Sequence, residues 1–295
     1  RVRRVWFLTL PCLLCPSDVL GEVIHREKSL YQNIEIQQKG DDRCLVFAVR
    51  RDDRRQSCFD TENPDRVVFS YVRMTFGGLL LQPNPSAILI VGLGGGTLPT
   101  ALNALYPTAK IDVVEIDAAV VRVAEGFFNF KANDQLNVAV QDARVFIKRA
   151  VRLGSKYDLV ILDAFTGEYI PEHLMTQEFL AETRSLLSEG GVVVANTFSS
   201  SKLYDYESQT YKAVFNEFFN FKLPASGNRV IIARPAGLPD RQTLETNARA
   251  LAPALTRFGV AIESFPRYLN TRADWDQTAP ILTDQFSPAN LLKNR

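Results

Sequence analysis

The sequence predicts an α/β protein: a parallel, doubly wound sheet with helices on both faces, preceded by a small β region. Three observations carry this. Between Ala87 and Phe218, apolar runs of four to seven residues alternate with helical patterns at the spacing of successive βα units. Within that stretch, residues 87–117 run as strand, glycine turn, helix and second strand, with carboxylates at the tip of the second strand. Residues 22–59, by contrast, alternate with a period of two and show no helical spacing.

The first 21 residues have the layout of a secretory signal. Arg1-Val-Arg-Arg4 is basic, and Val5 to Cys15 is apolar but too short to span a bilayer. Val19-Leu-Gly21 offers small residues for cleavage after Gly21. The competing reading is an N-terminal strand packed on the body. The order of basic head, apolar middle and V-x-G favours the signal, as does Pro11. Cys12-x-x-Cys15 falls inside this segment, so it is given no redox or metal role. A signal places the mature chain in the periplasm or outside the cell; without one the chain is cytoplasmic.

Residues 22–66 read as an N-terminal β region of three or four strands, with Tyr31-Gln-Asn-Ile-Glu-Ile-Gln alternating and Cys44-Leu-Val-Phe-Ala-Val a buried run. Cys44 and Cys58 sit on strand-like runs either side of the polar turn Arg50 to Arg54. A cross-strand disulfide and two buried thiols both fit. Asn63-Pro-Asp65 looks like a helix entry, and Val67 to Leu81 has helical spacing.

The core is expected over 67–235. Strands at 87–91, 110–116, 137–140, 157–162 and 191–197 are each followed by a helix, at 97–106, 118–128, 143–152, 176–188 and 205–218. The runs 219–223 and 229–233 are close enough to form a closing hairpin, which makes the last strand antiparallel. Pro235 to Pro239 is a linker, Gln242 to Phe258 a helix, and residues 236–295 a helix and tail packing on the core.

Ligands of open α/β sheets sit beyond the carboxyl ends of the strands. Here those ends carry Gly92, Gly94, Gly95 and Gly96, then Glu115 and Asp117, then Gln141-Asp142, then Asp163, then Asn196-Thr197. Glycines let backbone approach a ligand, and the helix after them points free N–H groups at it. Glu115 is placed to accept hydrogen bonds from ribose hydroxyls, so the expected guest contains a nucleoside. Asp117 is expected to cap the following helix. Asp142 can bond an adenine amino group, cap helix 143–152, or both. Asp163 follows the buried run Leu159-Val-Ile-Leu162 and is the best catalytic candidate, able to accept a proton from an amine or orient it.

Several chemistries are disfavoured. Gly96 is followed by Thr-Leu-Pro, not by the Gly-Lys-Ser/Thr of a phosphate loop. G-x-G-x-x-G would need a glycine at Thr97, so a nicotinamide dinucleotide is second choice. Two histidines, His25 and His173, without a Cys/His cluster argue against zinc, and no metal is expected. No Gly-x-Ser-x-Gly elbow supports a hydrolase. Lys+Arg 34 against Asp+Glu 33 leaves no basic surplus for nucleic acid.

From about Ser29 to Val230 the sequence resembles the spermidine synthase (polyamine aminopropyltransferase) family. The resemblance rests on Tyr31-Gln-Asn-Ile with Arg43-Cys-Leu, Gln56, Ser70-Tyr71 with Met74, Val113-Val-Glu-Ile-Asp117, Asp142 and Tyr157-Asp-Leu-Val-Ile-Leu-Asp163. It implies a Rossmann-type, S-adenosylmethionine-methyltransferase-like domain behind a small N-terminal β domain, and a plausible homodimer. It implies aminopropyl transfer from decarboxylated S-adenosylmethionine to a polyamine such as putrescine. Gln56 would touch the donor, Glu115 hold its ribose, Asp142 its adenine, and Asp163 act as base. Three positions depart from the family. Gly95 replaces an Asp that grips the donor's amino group, Thr166 replaces a second loop Asp, and Arg73 replaces an acid in the first helix. Glu168 is a candidate substitute for one of these, with Tyr169 beside it in an expected lid over 164–175. Asp163 to Thr176, Asn196-Thr-Phe-Ser199 and Leu282-Thr-Asp284 resemble a bacterial spermidine synthase-like branch. Two alternatives follow from the departures: a non-catalytic periplasmic protein binding a nucleoside or polyamine, and a methyltransferase using S-adenosylmethionine itself.

Overall fold

The computed structural model describes residues 21–49, 52–165, 169–224 and 226–288; the expected signal segment lies outside them apart from Gly21. The first four strands, β1 (Glu22–Lys28), β2 (Asn33–Lys39), β3 (Asp42–Val49) and β4 (Asp52–Asp60), form an antiparallel meander in that order. Its two-residue period is physical: Ile34, Ile36, Leu45 and Phe47 are buried and join the main core. Cys44 and Cys58 face each other across β3 and β4 and form a disulfide, so of the two pairings open in the sequence the bridge is present.

The second sheet has the order β12-β10-β11-β9-β8-β5-β6-β7. Strands β5 (Ala87–Val91), β6 (Lys110–Glu115), β7 (Leu136–Val140), β8 (Tyr157–Leu162) and β9 (Leu187–Phe198) are mutually parallel. Helices α2 (Thr97–Leu105), α3 (Ala118–Phe127), α4 (Ala143–Arg152) and α5 (Gln177–Ser185) connect them. In β5, β6, β8 and β9 alternate residues feed opposite cores: Ile88, Ile90 and Ile161 on one face, Leu89, Val91 and Leu162 on the other. Burial on both faces is why these four read as continuous apolar runs, whereas the edge strand β7 buries Leu136 on one face only. The doubly wound fold behind a small β domain is therefore present.

After β9, helix α6 (Tyr204–Phe215) leads to β10 (Phe219–Lys222) and β11 (Asn228–Ala233). This hairpin closes the sheet with β11, not β10, paired antiparallel to β9. A helix α7 (Arg241–Leu255) and the short strand β12 (Leu269–Asn270) finish the edge.

Three expectations need correction. The helix predicted over Val67 to Leu81 is only α1 (Ser70–Thr75), followed by a 3₁₀ turn over Phe76–Leu80. Val67 instead bridges Phe59 and bonds the Phe258 carbonyl, so Asn63-Pro-Asp65 is a turn and not a helix entry. Gly77 and Gly78 lie flat on the sheet; a Cβ at Gly78 would fall 2.4 Å from Val194. The fifth core strand begins at Leu187 rather than 191, through an irregularity opposite Tyr157 to Leu159. The edge strand β12 lies in a region with no strand-like pattern.

Candidate active site

The strand ends open into a cavity of about 290 Å³ bounded by the glycine turn, the ends of β6, β7 and β8, α1 and the β4 segment around Gln56. Gly92, Gly94 and Gly96 have φ of 102°, 55° and 76°, a region that residues with side chains rarely adopt. Gly92 has a second constraint. Its missing Cβ would lie 2.3 Å from the Asp163 carbonyl oxygen, so the turn and the β8 end meet backbone to backbone.

Glu115 is fixed by the turn it faces. Its Oε2 accepts from the Leu93 amide at 3.0 Å and its Oε1 from the Asp117 amide at 3.0 Å. Enclosure raises its carboxyl above the ordinary range, and those two amides oppose the rise. Asp117 caps α3 by accepting from the Ala119 amide, and it also accepts from the Ser29 hydroxyl at 2.5 Å, which ties the small sheet to the core. Asp142 caps α4 through the Val145 amide, while its other oxygen meets His173 Nε2 at 2.9 Å. Partial burial pushes the Asp142 carboxyl up, but Val145 and His173 outweigh it and hold the group below its usual value.

Asp163 stands apart electrostatically. It stands half-buried at the end of β8, and desolvation there pushes its carboxyl up to about 7. The one group that pulls the other way is Asn196, whose Nδ2 donates to Asp163 Oδ1 at 2.8 Å. Tyr71, on α1, is close enough to sense the Asp163 charge; burial first and then that charge keep its phenol protonated, and it donates to the Gln56 carbonyl at 2.9 Å. Gln56 lines the cavity, held from behind by α1.

The departures from the resembled family take definite form. Gly95 has an ordinary φ, so packing and not backbone excludes a side chain there. A Cβ would sit 2.8 Å from both Ser57 Oγ and Phe128 Cδ1, two buried neighbours. Arg73 does not put a cation in the cavity: its Nη1 donates to the carbonyls of Val67 and Val68 at 2.7 and 2.9 Å. Thr166 and Glu168 lie outside the described residues. Tyr169 is exposed and off the cavity wall; the lid segment contributes Ala164, Phe165, Pro171, His173 and Leu174 instead. Lid side chains point by loop geometry, which no periodicity in the sequence announces.

Sequence reasoning missed the aromatic pair Phe165 and Phe198, stacked edge to face at 5.1 Å, and the amide of Asn228. It also missed the pairing of Arg229 with Glu207, since neither carries a local signal. A second cavity, lined by Arg55, Phe69, Phe198 and Asn228, shares Gln56, Tyr71 and Phe165 with the first.

The Gly95 packing makes a prediction. Gly95→Asp restores the family's residue but overpacks against Phe128 and Ser57, so it should destabilise by about 1–3 kcal/mol. A urea denaturation midpoint equal to that of the parent would contradict it.

A spermine/spermidine synthase domain model matches residues 69–227. The chain is 53% identical to the polyamine aminopropyltransferase of Vibrio vulnificus strain CMCP6, over 98% of both chains. It is 32% identical to that of Chromobacterium violaceum, over 68% of this chain and 75% of the relative. A probable spermidine synthase from Corynebacterium glutamicum shares the fold with a TM-score of 0.66 at 21% identity, covering 88% of this chain and 99% of that one. Human methyltransferase-like protein 13, solved with SAH, matches at a TM-score of 0.60 and 26% identity, over 74% of this chain and all of that one.

Proposed function

Because this chain belongs to the spermine/spermidine synthase family, we propose that it transfers an aminopropyl group from decarboxylated S-adenosylmethionine to a polyamine such as putrescine. The observation that carries this is Asp163, a half-buried, desolvated carboxyl in the same cavity as the glycine turn and Glu115. A base poised near neutrality is what amine alkylation needs, because only the neutral amine is nucleophilic.

The proposed step balances as follows. The acceptor nitrogen attacks the aminopropyl carbon next to the sulfonium. A C–N bond forms, the C–S bond breaks with its electron pair going to sulfur, and methylthioadenosine leaves. The proton on the acceptor nitrogen passes to Asp163. Glu115, held by two loop amides, keeps further lone pairs for ribose hydroxyls, and Asp142 offers a charged acceptor on the adenine side. The turn at Gly92 and Gly94 gives the donor close backbone contact without side-chain obstruction. With Gly95 in the family's Asp position, the donor's amino group has to be held by other groups.

The Cys44–Cys58 bridge favours a compartment that keeps thiols oxidised, which supports export and requires the donor to be available there. The proposed activity is tested by incubating the full chain with decarboxylated S-adenosylmethionine and putrescine, followed by mass spectrometry. Spermidine and methylthioadenosine should appear in equal amounts and only when both substrates are present. Their absence across pH 6 to 9 would sink the proposal.

A further inference from the structure

Asp163 Oδ1 is not free to move. It accepts from Asn196 Nδ2 at 2.8 Å, and Asn196 Oδ1 in turn accepts from Asn228 Nδ2 at 3.0 Å. Three side chains on three adjacent strand ends, β8, β9 and β11, thus form one chain of amides ending on the carboxylate. The direction is set by chemistry. An ionised carboxylate accepts only, so Asn196 must turn its NH₂ to Asp163, which leaves its carbonyl oxygen for a donor. Asn228 supplies that donor. Its own backbone is pinned, since its amide donates to Ser226 Oγ and it pairs with Phe198 in the β11–β9 ladder. The adjacent Arg229 is buried and bonded to Thr197 on β9, which holds the two strands together at that point.

We propose that Asn196 and Asn228 are positioning residues for amine transfer, a two-amide relay that occupies Asp163 Oδ1 and reserves Oδ2 for the acceptor's proton. The proposal rests on Asp163 being the base. Among the described residues Oδ2 has no donor, and Asp163 lines the main cavity. Asn196 and Asn228 both line the second cavity, which shares the wall of Gln56, Tyr71 and Phe165. The relay therefore also borders a route by which an amine could reach Asp163.

Other groups share the surroundings of Asp163. Tyr71 faces it from α1 and is protonated, Glu115 and Asp142 stand at the β6 and β7 ends, His173 is paired to Asp142, and Arg55 lies on the second cavity. None of them hydrogen-bonds Asp163 among the described residues, so Asn196 is the group whose loss should move its titration.

Two substitutions separate positioning from bulk structure. Asn228→Leu removes the anchor and lets the Asn196 amide rotate. Asn228→Asp is sharper: the new carboxylate competes for the Asn196 NH₂, so Asn196 turns its oxygen toward Asp163, where only a protonated carboxyl can answer it. In both, the rising limb of kcat against pH should move to higher pH, farther for Asn228→Asp. A shift of about one pH unit lowers kcat roughly tenfold at pH 6 and little at pH 9. The KM for the donor should not change. A role in folding alone would lower kcat equally at every pH.

The titration of Asp163 is read independently by ¹³C NMR of protein labelled at the Asp carboxyl carbon, with Asp163→Asn identifying the signal. An upward shift of the midpoint in Asn228→Leu, which adds no charge, supports the relay; a shift in Asn228→Asp alone is like-charge repulsion and overturns it. An unchanged midpoint in both variants overturns it. If the parent protein makes no spermidine and the midpoint still shifts, the hydrogen-bonded relay to Asp163 stands, while its role in amine transfer falls with the transferase reading.

Discussion

Asp163→Asn should abolish aminopropyl transfer and at the same time make the protein more stable above neutral pH. Both effects come from one desolvated carboxyl. The substituted amide cannot take the amine's proton, so kcat should fall at least about a hundredfold. The stability effect follows from linkage. Asp163 has its folded pKa raised to about 7, against 3.8 for the free side chain. Between those values the folded protein holds a proton that the unfolded chain has released, so stability falls as pH rises through the window. The whole penalty is present above pH 7 and absent below about 4. Its upper limit is on the order of 4 kcal/mol. Asparagine has the same shape, still accepts from Asn196 with its carbonyl oxygen, and carries no charge to bury. Its Tm should exceed the parent's at pH 8 by several degrees and match it at pH 4. Equal melting temperatures at pH 8 would mean that the Asp163 carboxylate is solvated in the folded protein.

Arg229→Met should cost about 3–5 kcal/mol, the largest stability loss expected for a residue outside the cavity. Arg229 is 0% exposed. Its guanidinium reaches Glu207 Oε2 at 2.9 Å, Ser208 Oγ at 2.6 Å and Thr197 Oγ1 at 2.8 Å, with the Tyr204 ring 3.9 Å from Cζ. Removing it strands Glu207. Burial already pushes the Glu207 carboxyl up, and Arg229 is what opposes this. Without the cation Glu207 will protonate on folding, so the loss should grow as pH rises. Arg229→Lys should not restore stability, because an ammonium cannot bond three partners spread over a planar fork. Adding Glu207→Gln to Arg229→Met should recover a substantial part of the loss in urea denaturation at pH 7. If the two losses simply add, the pair is not coupled.

Much of this arrangement was legible in the sequence because it depends on local pattern. Four of the five core strands are buried on both faces, and three of the helices that follow begin at side chains that cap: Asp117, Asp142 and Thr176. The clustering of Glu115, Asp142 and Asp163 follows from one rule about strand ends, which needs no coordinates. What stayed hidden depends on distant parts of the chain. The stretch from Val67 to Leu81 has helical spacing, yet Gly77 and Gly78 let it flatten onto Val194, more than a hundred residues away. Gly95 reads as a lost carboxylate. Only packing shows that Phe128 and Ser57 fill the space that side chain would take. Arg73 reads as a reversed charge, but its guanidinium is spent on two carbonyls. Asn228 looks like an ordinary turn residue until β11 is seen to lie between β9 and β10.

At Gly92 the glycine turn meets the end of β8 backbone to backbone, with no room for a side chain as a spacer. Side chains can rotate to absorb a small displacement; two abutting backbones cannot. In the proposed reaction, donor and Asp163 would share a common origin, and their separation would be a property of the sheet rather than of any rotamer. On that reading, changes elsewhere in the cavity wall would alter which amine is accepted without altering where the reacting carbon lies relative to Asp163.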